Sequence, residues 1–221
     1  MRCLKALAVV MAVVGCAGTA FAGSCPESCL DAGCSTAAAR ESTVVFTCEP
    51  YASSQGRMSY DLVAGHLLAE ARGCTGWYGA GGGGVSATAR DRYLLVGPPG
   101  GGPVAFEARL RLRGGVGGEG TCGGSIAEPG GAWASADDGG TYVLAATLSL
   151  PLVHAAGEEF QVECYAYGSA GGAGSIGFAE GWLTFANLPA GYGIVSCQGF
   201  AGEGAVPARG GTWGSVKALY R

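Results

Sequence analysis

Charge is scarce in this 221-residue chain: 13 Lys and Arg against 17 Asp and Glu, 14% of the residues, with only 2 histidines. No Lys/Arg block and no interleaving of basic with aromatic residues occurs, which argues against nucleic acid as the partner. Long apolar runs are missing too. The stretch from Ala6 to Val14 is nine residues, too few for a retained transmembrane helix, which needs ~20. No Gly-x-Ser-x-Gly elbow is present. Gly123-Gly124-Ser125-Ile126 comes nearest and reads as a turn before a strand. His66 and His154 sit among small and apolar neighbours and read as loop or partly buried residues. The glycine tracts lack the strand and helix context of phosphate-cradling loops. Cys25-x3-Cys29-x4-Cys34 lacks the paired Cys-x2-Cys knuckles of a structural zinc site, and no histidine lies beside it in sequence. No cofactor is expected, and no catalytic or metal-binding residue is assigned.

What is present begins with an export signal. Arg2 and Lys5 precede the apolar run, and Ala20-Phe21-Ala22 forms a small-x-small cleavage site. Cleavage is expected after Ala22. A rival reading takes Val13-Val14-Gly15-Cys16 as a lipobox, which makes Cys16 a lipid-modified N-terminus and the protein an anchored lipoprotein. Loss of residues 1–22 removes two of the 13 basic residues, leaving 11 against 17 acidic, or −6. It also removes Cys3 and Cys16 from the ten cysteines. Eight remain: Cys25, Cys29, Cys34, Cys48, Cys74, Cys122, Cys164 and Cys197. An even number in an exported chain implies up to four disulfides, with connectivity that spacing does not choose.

The clearest structural signal is Val104 to Arg113. Val104, Phe106, Ala108, Leu110 and Leu112 fall on one side of an extended chain, and Ala105, Glu107, Arg109, Arg111 and Arg113 on the other. Burying its four large apolar residues is worth roughly 6–12 kcal/mol. The same period recurs between glycine-rich turns. Thr43–Cys48, Val85–Val96, Thr121–Ala127, Ala132–Ala136, Thr141–Leu150, Glu159–Gly168, Ser175–Ala186 and Ile194–Phe200 all read as strands. In Glu159–Gly168 the inward row is Phe160, Val162, Cys164 and Ala166. In Ser175–Ala186 the inward row starts with Ile176 and Phe178, then shifts phase to Leu183 and Phe185, with a bulge at Gly181. Tyr51 to Gly56 reads as a polar loop. Ser59 to Arg72 is read as a strand bent at Gly65, with Leu62, Ala64, His66 and Leu68 on one side; a helix is the alternative. Asp137-Asp138-Gly139-Gly140 reads as a hairpin turn. The expected fold is an all-β sandwich or jelly roll of roughly nine to eleven antiparallel strands. It occupies residues 43–200, after a cysteine-containing irregular segment at 23–42 and before a linker and tail at 201–221.

From Thr141 to Phe200 the order is a strand ending Leu-Pro-Leu, a Gly-Glu-Glu-Phe strand start and a Gly/Ala/Ser-rich hairpin. A strand ending Phe-Ala-Asn-Leu-Pro-Ala-Gly-Tyr and a closing strand follow. This arrangement resembles glycine-rich exported bacterial β-sandwich proteins and is similar to the sandwich domain of PEP-CTERM surface proteins. The resemblance covers about residues 57–200. It implies a cell-surface or extracellular sandwich and carries over no catalytic residue. The Pro-Glu-Pro motif, apolar run and terminal arginine cluster of that family's sorting tail are not seen here. The ending Trp213 to Arg221 looks instead like a short recurrent tail on some secreted proteins.

Three residue sets bear on chemistry. Glu107, Glu163 and Glu180 lie on strands where a glycosidase on a jelly roll would place paired carboxylates, or else they are solvent-facing alternates beside Arg109 and Arg111. Asp137 and Asp138 suit either a calcium loop or plain turn chemistry. Tyr165, Tyr167, Tyr78 and Trp77 form either an aromatic glycan platform or ordinary cross-strand packing. The expectation is a non-enzymatic exported protein with a structural or interaction role, partnered by glycans or other surface proteins. A carbohydrate-binding module or glycan-active enzyme is the alternative.

Overall fold

A computed structural model describes residues 25–31, 33–48, 52–73, 83–138, 143–172 and 174–202, with the backbone alone described at 46–48, 52–54 and 135–138. The expected leader with Cys16, together with Cys74, Trp77, Tyr78 and the segment from Trp213, lies outside the described residues.

The described chain is strand throughout, in thirteen segments. They are β1 (Ser28–Leu30), β2 (Gly33–Ser35), β3 (Ala39–Cys48), β4 (Ala52–Asp61) and β5 (His66–Arg72). There follow β6 (Gly83–Val96), β7 (Val104–Gly117), β8 (Gly120–Ala127) and β9 (Trp133–Asp138). The last four are β10 (Leu144–His154), β11 (Glu159–Ala170), β12 (Ile176–Ala186) and β13 (Gly193–Ser196). They make two antiparallel sheets packed face to face. The first runs β2-β1-β6-β11-β8-β9, with β13 also on β6; the second runs β10-β7-β12-β5-β4-β3. The expected β-sandwich is what the chain forms. No helix among the described residues is long and apolar enough to cross a membrane.

The organising strand β7 lies between β10 and β12. Its inward row is buried as its alternation requires, with Phe106, Ala108, Leu110 and Leu112 at 2% exposure or less. In β11 likewise, Phe160, Val162, Cys164 and Ala166 point in, and Glu163, Tyr165 and Tyr167 point out.

Several expected boundaries change. The segment at 23–42 is not irregular: β1 and β2 form a hairpin whose strands are joined by the Cys29–Cys34 disulfide, and β1 pairs with β6. The sandwich therefore begins before residue 43. The polar run read as a loop belongs to β4, because β3 supplies its ladder partners and β5 joins from Gly56. Ser59 to Arg72 is not one bent strand but the end of β4, a turn at Leu62–Gly65 and β5. Leu67, Ala69 and Ala71 are its inward row, so His66 and Leu68 face out. Gly65 is needed there for two reasons. Its φ is 66°, and a side chain at it would collide with the Phe200 ring and the Leu183 carbonyl. The last strand stops at Ser196, and residues 197–198 turn. Gly123-Gly124-Ser125 lies within β8, and Asp137 and Asp138 within β9 rather than in a turn. The ten strands read from the sequence become thirteen because of the β1–β2 hairpin and the division of 52–72.

The largest correction concerns β12. Its pairing with β7 runs unbroken from Ile176 to Ala186, with no bulge at Gly181. The inward row is Gly177, Ala179, Gly181, Leu183 and Phe185, and Ile176 and Phe178 face outward. The core is a wedge. Inward residues of β11 shrink from Phe160 through Val162, Cys164 and Ala166 to Gly168, and those of β12 from Phe185 to Gly177. At the wide end Tyr93, Phe106, Phe160, Phe185 and Phe200 form an aromatic cluster, with centroids 4.9 Å apart for Tyr93–Phe185 and 5.6 Å for both Phe106–Phe160 and Phe185–Phe200. At the narrow end the backbones meet. A Cβ on Gly177 would fall inside contact distance of the Ser169 and Thr121 carbonyls of the opposite sheet, and one on Gly168 inside that of the Gly177 carbonyl. Backbone cannot move aside as a side chain does. Gly177→Ala is therefore expected to destabilise by about 3 kcal/mol, a fall in melting temperature of about 6–12 °C. Gly102→Ala, in open space at an ordinary φ, is the control and should leave the melt unchanged.

The four-disulfide expectation is also revised. The chain joins Cys25 to Cys197 and Cys29 to Cys34. Cys122 and Cys164 are buried in the core outside any disulfide. Both follow the inward alternation, but Cys122 pairs with Gly168 on β11, which puts it about 13 Å along the strand from Cys164. Burial pushes the Cys164 thiol up to about 12, so it behaves as a small apolar residue. The Cys48 side chain and all of Cys74 lie outside the described residues.

Candidate functional site

Each sheet turns one face inward and presents the other outward. On the first sheet, β11 presents Tyr165 and Tyr167 side by side, ring centroids 5.9 Å apart and 28° from parallel. Their cross-strand neighbours are short: Thr88 and Ser86 on β6, Ser125 and Gly123 on β8. The two rings therefore rise from a flat, small-residue surround. Glu163 closes one end in an ion pair with Arg90 opposite it. Trp133 on β9 is 71% exposed at the sheet's edge.

The second sheet's outward face is built around β12. Its outward row of Ile176, Phe178, Glu180, Trp182 and Thr184 is half-buried. Trp182 lies between Arg111 of β7 and His66 of β5, directly opposite on either side. Glu180 lies between Arg113 and Leu68, and accepts a hydrogen bond from His66 Nε2 at 2.9 Å. The His66 ring is 5.5 Å from that of Trp182. Arg109 pairs with Glu107 at 2.8 Å, whereas Arg111 and Arg113 are exposed and make no ion pair among the described residues.

These positions decide what the three carboxylates can do. Glu163 is on the first sheet, Glu107 and Glu180 on the second, so they do not line one concave face. Glu107 lies opposite Ala186 and Glu180 opposite Arg113, six residues apart along β7, or about 20 Å. Glycosidase carboxylates stand roughly 5–10 Å apart. Each of the three is engaged, by Arg109, Arg90 or His66. Surface pairs of this kind contribute about 1 kcal/mol or less. Glu70, which the sequence reading passed over, lies diagonal to Glu180 on β5 and is paired with Arg72 at 2.7 Å. Asp137 and Asp138 are in a strand, and no cluster of three or more metal-ligating side chains occurs among the described residues.

His154 is not in a loop. It ends β10, is 8% exposed, and stacks on Phe160 at 4.5 Å. Its Nε2 and Nδ1 lie 3.0 and 3.2 Å from carboxylate oxygens of Glu128 and Glu158, though neither contact is aligned as a hydrogen bond. The Glu158 carboxyl is held below its usual range by the Ala155 amide that donates to it and by His154.

Asp91 is a buried group that the sequence pattern leaves unassigned. Within the charged middle of β6 it points inward and is 1% exposed. It accepts hydrogen bonds from the Arg92 and Gln198 amides and from the Ser196 hydroxyl, which itself accepts from the Phe200 amide. Burial outweighs these bonds and raises its pKa to about 7.

The outward aromatic row of β12 was hidden because glycine and alanine inward and Ile176 and Phe178 outward invert the usual contrast. Arg111 and Arg113 were legible from their alternation, but not their place beside Trp182. No protein-family model matches the chain, and a search of curated proteins finds no match.

Proposed function

We propose that the protein is an exported, non-enzymatic β-sandwich that acts at the cell surface or outside the cell by presenting its outward faces to partners. Two disulfides support an oxidising compartment for the folded chain. The leader-like start and the likeness to PEP-CTERM sandwich domains support export in the same sense. The observation that carries the non-enzymatic reading is the engagement of all three carboxylates in separate pairs, Glu163 on one face and Glu107 and Glu180 far apart on the other. A carbohydrate-binding role is the second reading, favoured by the paired rings of Tyr165 and Tyr167 on a flat surround.

Purified mature protein on a glycan array, with and without calcium and followed by a reducing-end assay, tests both. Binding without release of reducing ends is the expected result. Release of reducing ends that Glu180→Gln abolishes would make the protein an enzyme and overturn this reading.

A further inference from the structure

We propose that the outward face of the second sheet, centred on Trp182, Arg111 and Arg113, binds a carboxylate-bearing polysaccharide. This deepens the binding reading above and rests on it.

The chain as a whole is acidic, with a net charge of −4. Beside Trp182 that balance is locally reversed. Arg57, Arg72, Arg90 and Arg109 are matched by Glu41, Glu70, Glu163 and Glu107. Among the described residues Arg111 and Arg113 are left unmatched, and the carboxylate opposite Arg113, Glu180, is taken up by His66. The two arginines project from one strand at i and i+2, where backbone positions stand about 7 Å apart. Guanidinium is weakly hydrated, and its planar fork takes carboxylate in a bidentate grip. An indole in a flat sheet supplies an apolar plate for a sugar ring, and its amphipathic character suits a partner that is apolar on one side and wet on the other. Thr147, opposite Arg111 on β10 and exposed, adds a hydroxyl in the same row. Cation, ring and hydroxyl in one row across three strands match the carboxylates, ring faces and hydroxyls of a polyuronate. A lipid headgroup or a nucleic-acid backbone would use the cations and leave the row's other members idle.

Affinity electrophoresis through gels containing polygalacturonate or dextran tests the proposal on the full mature chain. The wild type should be retarded by polygalacturonate, less so as salt rises, and not by dextran. Arg111→Glu/Arg113→Glu should weaken the interaction at least about ten-fold, a loss read directly as Kd. Both residues are exposed, so the fold should survive, and circular dichroism confirms it. Trp182→Phe, which keeps a ring, should bind more tightly than Trp182→Ala, and Tyr165→Ala/Tyr167→Ala on the opposite face should bind as wild type. No retardation by polygalacturonate, or equal retardation of the double-glutamate variant, overturns the proposal. So does equal binding of duplex DNA or phosphatidylglycerol vesicles through the same arginines. Retardation by dextran that the tyrosine variant abolishes would overturn it while leaving the broader binding reading standing. An empty array together with two unretarded gels would remove both.

Discussion

Replacing Cys25 and Cys197 with alanine is expected to lower the melting temperature by about 10–20 °C. The bridge spans 172 residues, and closing a loop of that length removes about 5 kcal/mol of unfolded-chain entropy. The Cys29–Cys34 bridge spans five residues, and the same relation gives it about 2 kcal/mol. Its removal should shift the melt by about 4–8 °C. The architecture gives the long bridge a second role. On the side of β6 away from β11, β1 covers Ala87 and Thr88 and β13 covers Tyr93 to Val96. The two ends of the domain thus lie end to end along one strand, and Cys25–Cys197 ties them together. Thermal melts of the two double-alanine proteins decide the matter. Equal shifts would show that loop length does not govern the stabilisation.

Stability should also fall as pH rises from about 4 to about 7, by about 4 kcal/mol in all. The cause is Asp91, at the seam just described. In the unfolded chain its carboxyl ionises near 3.8; in the folded protein burial holds the proton until about 7. Below the first value both states are protonated and nothing depends on pH. Between the two the unfolded state alone has released the proton, so each increment of pH favours unfolding. Above the second both are ionised and the full cost of a buried charge is present. Melts at pH 5 and pH 8, between which about 2.6 kcal/mol of that loss falls, should differ by about 5–10 °C, lower at pH 8. Asp91→Asn should show almost no such difference. Glu158, lowered rather than raised, acts with opposite sign at acid pH, and weakly, because its side chain is half exposed. An unchanged wild-type melt across this range would mean that Asp91 is ionised at no great cost in the fold.

The fold was legible wherever large apolar residues alternate with polar ones, as in β7 and β11, because size and polarity there point the same way. It was not legible in β12. There a tapering core demands the smallest residues inside, and the outward row holds the larger ones. A strand's inward row can be marked by glycine only when the opposite backbone is near, and that is a fact of tertiary structure. In β4 the polar segment is extended because its neighbours need a partner, not because of its own residues. Asp91 is the middle one of three consecutive charges, Arg90-Asp91-Arg92. Its inward direction follows from strict alternation with Tyr93 and Ala89, and its charge argued against taking that alternation literally. Of the candidate site, the individual residues on β7 and β11 were visible. Which of them share a face was not, because that depends on strand order.

The narrow end of the wedge bears on how the molecule can deform. Two layers separated by side chains can slip past one another as rotamers readjust. Around Gly168 and Gly177 the layers interlock peptide against peptide, so a sideways glide would require ladder bonds to break. The exterior surfaces are consequently held at a fixed mutual orientation, and a partner docking on either one meets a stiff plate that does not mould itself to the visitor.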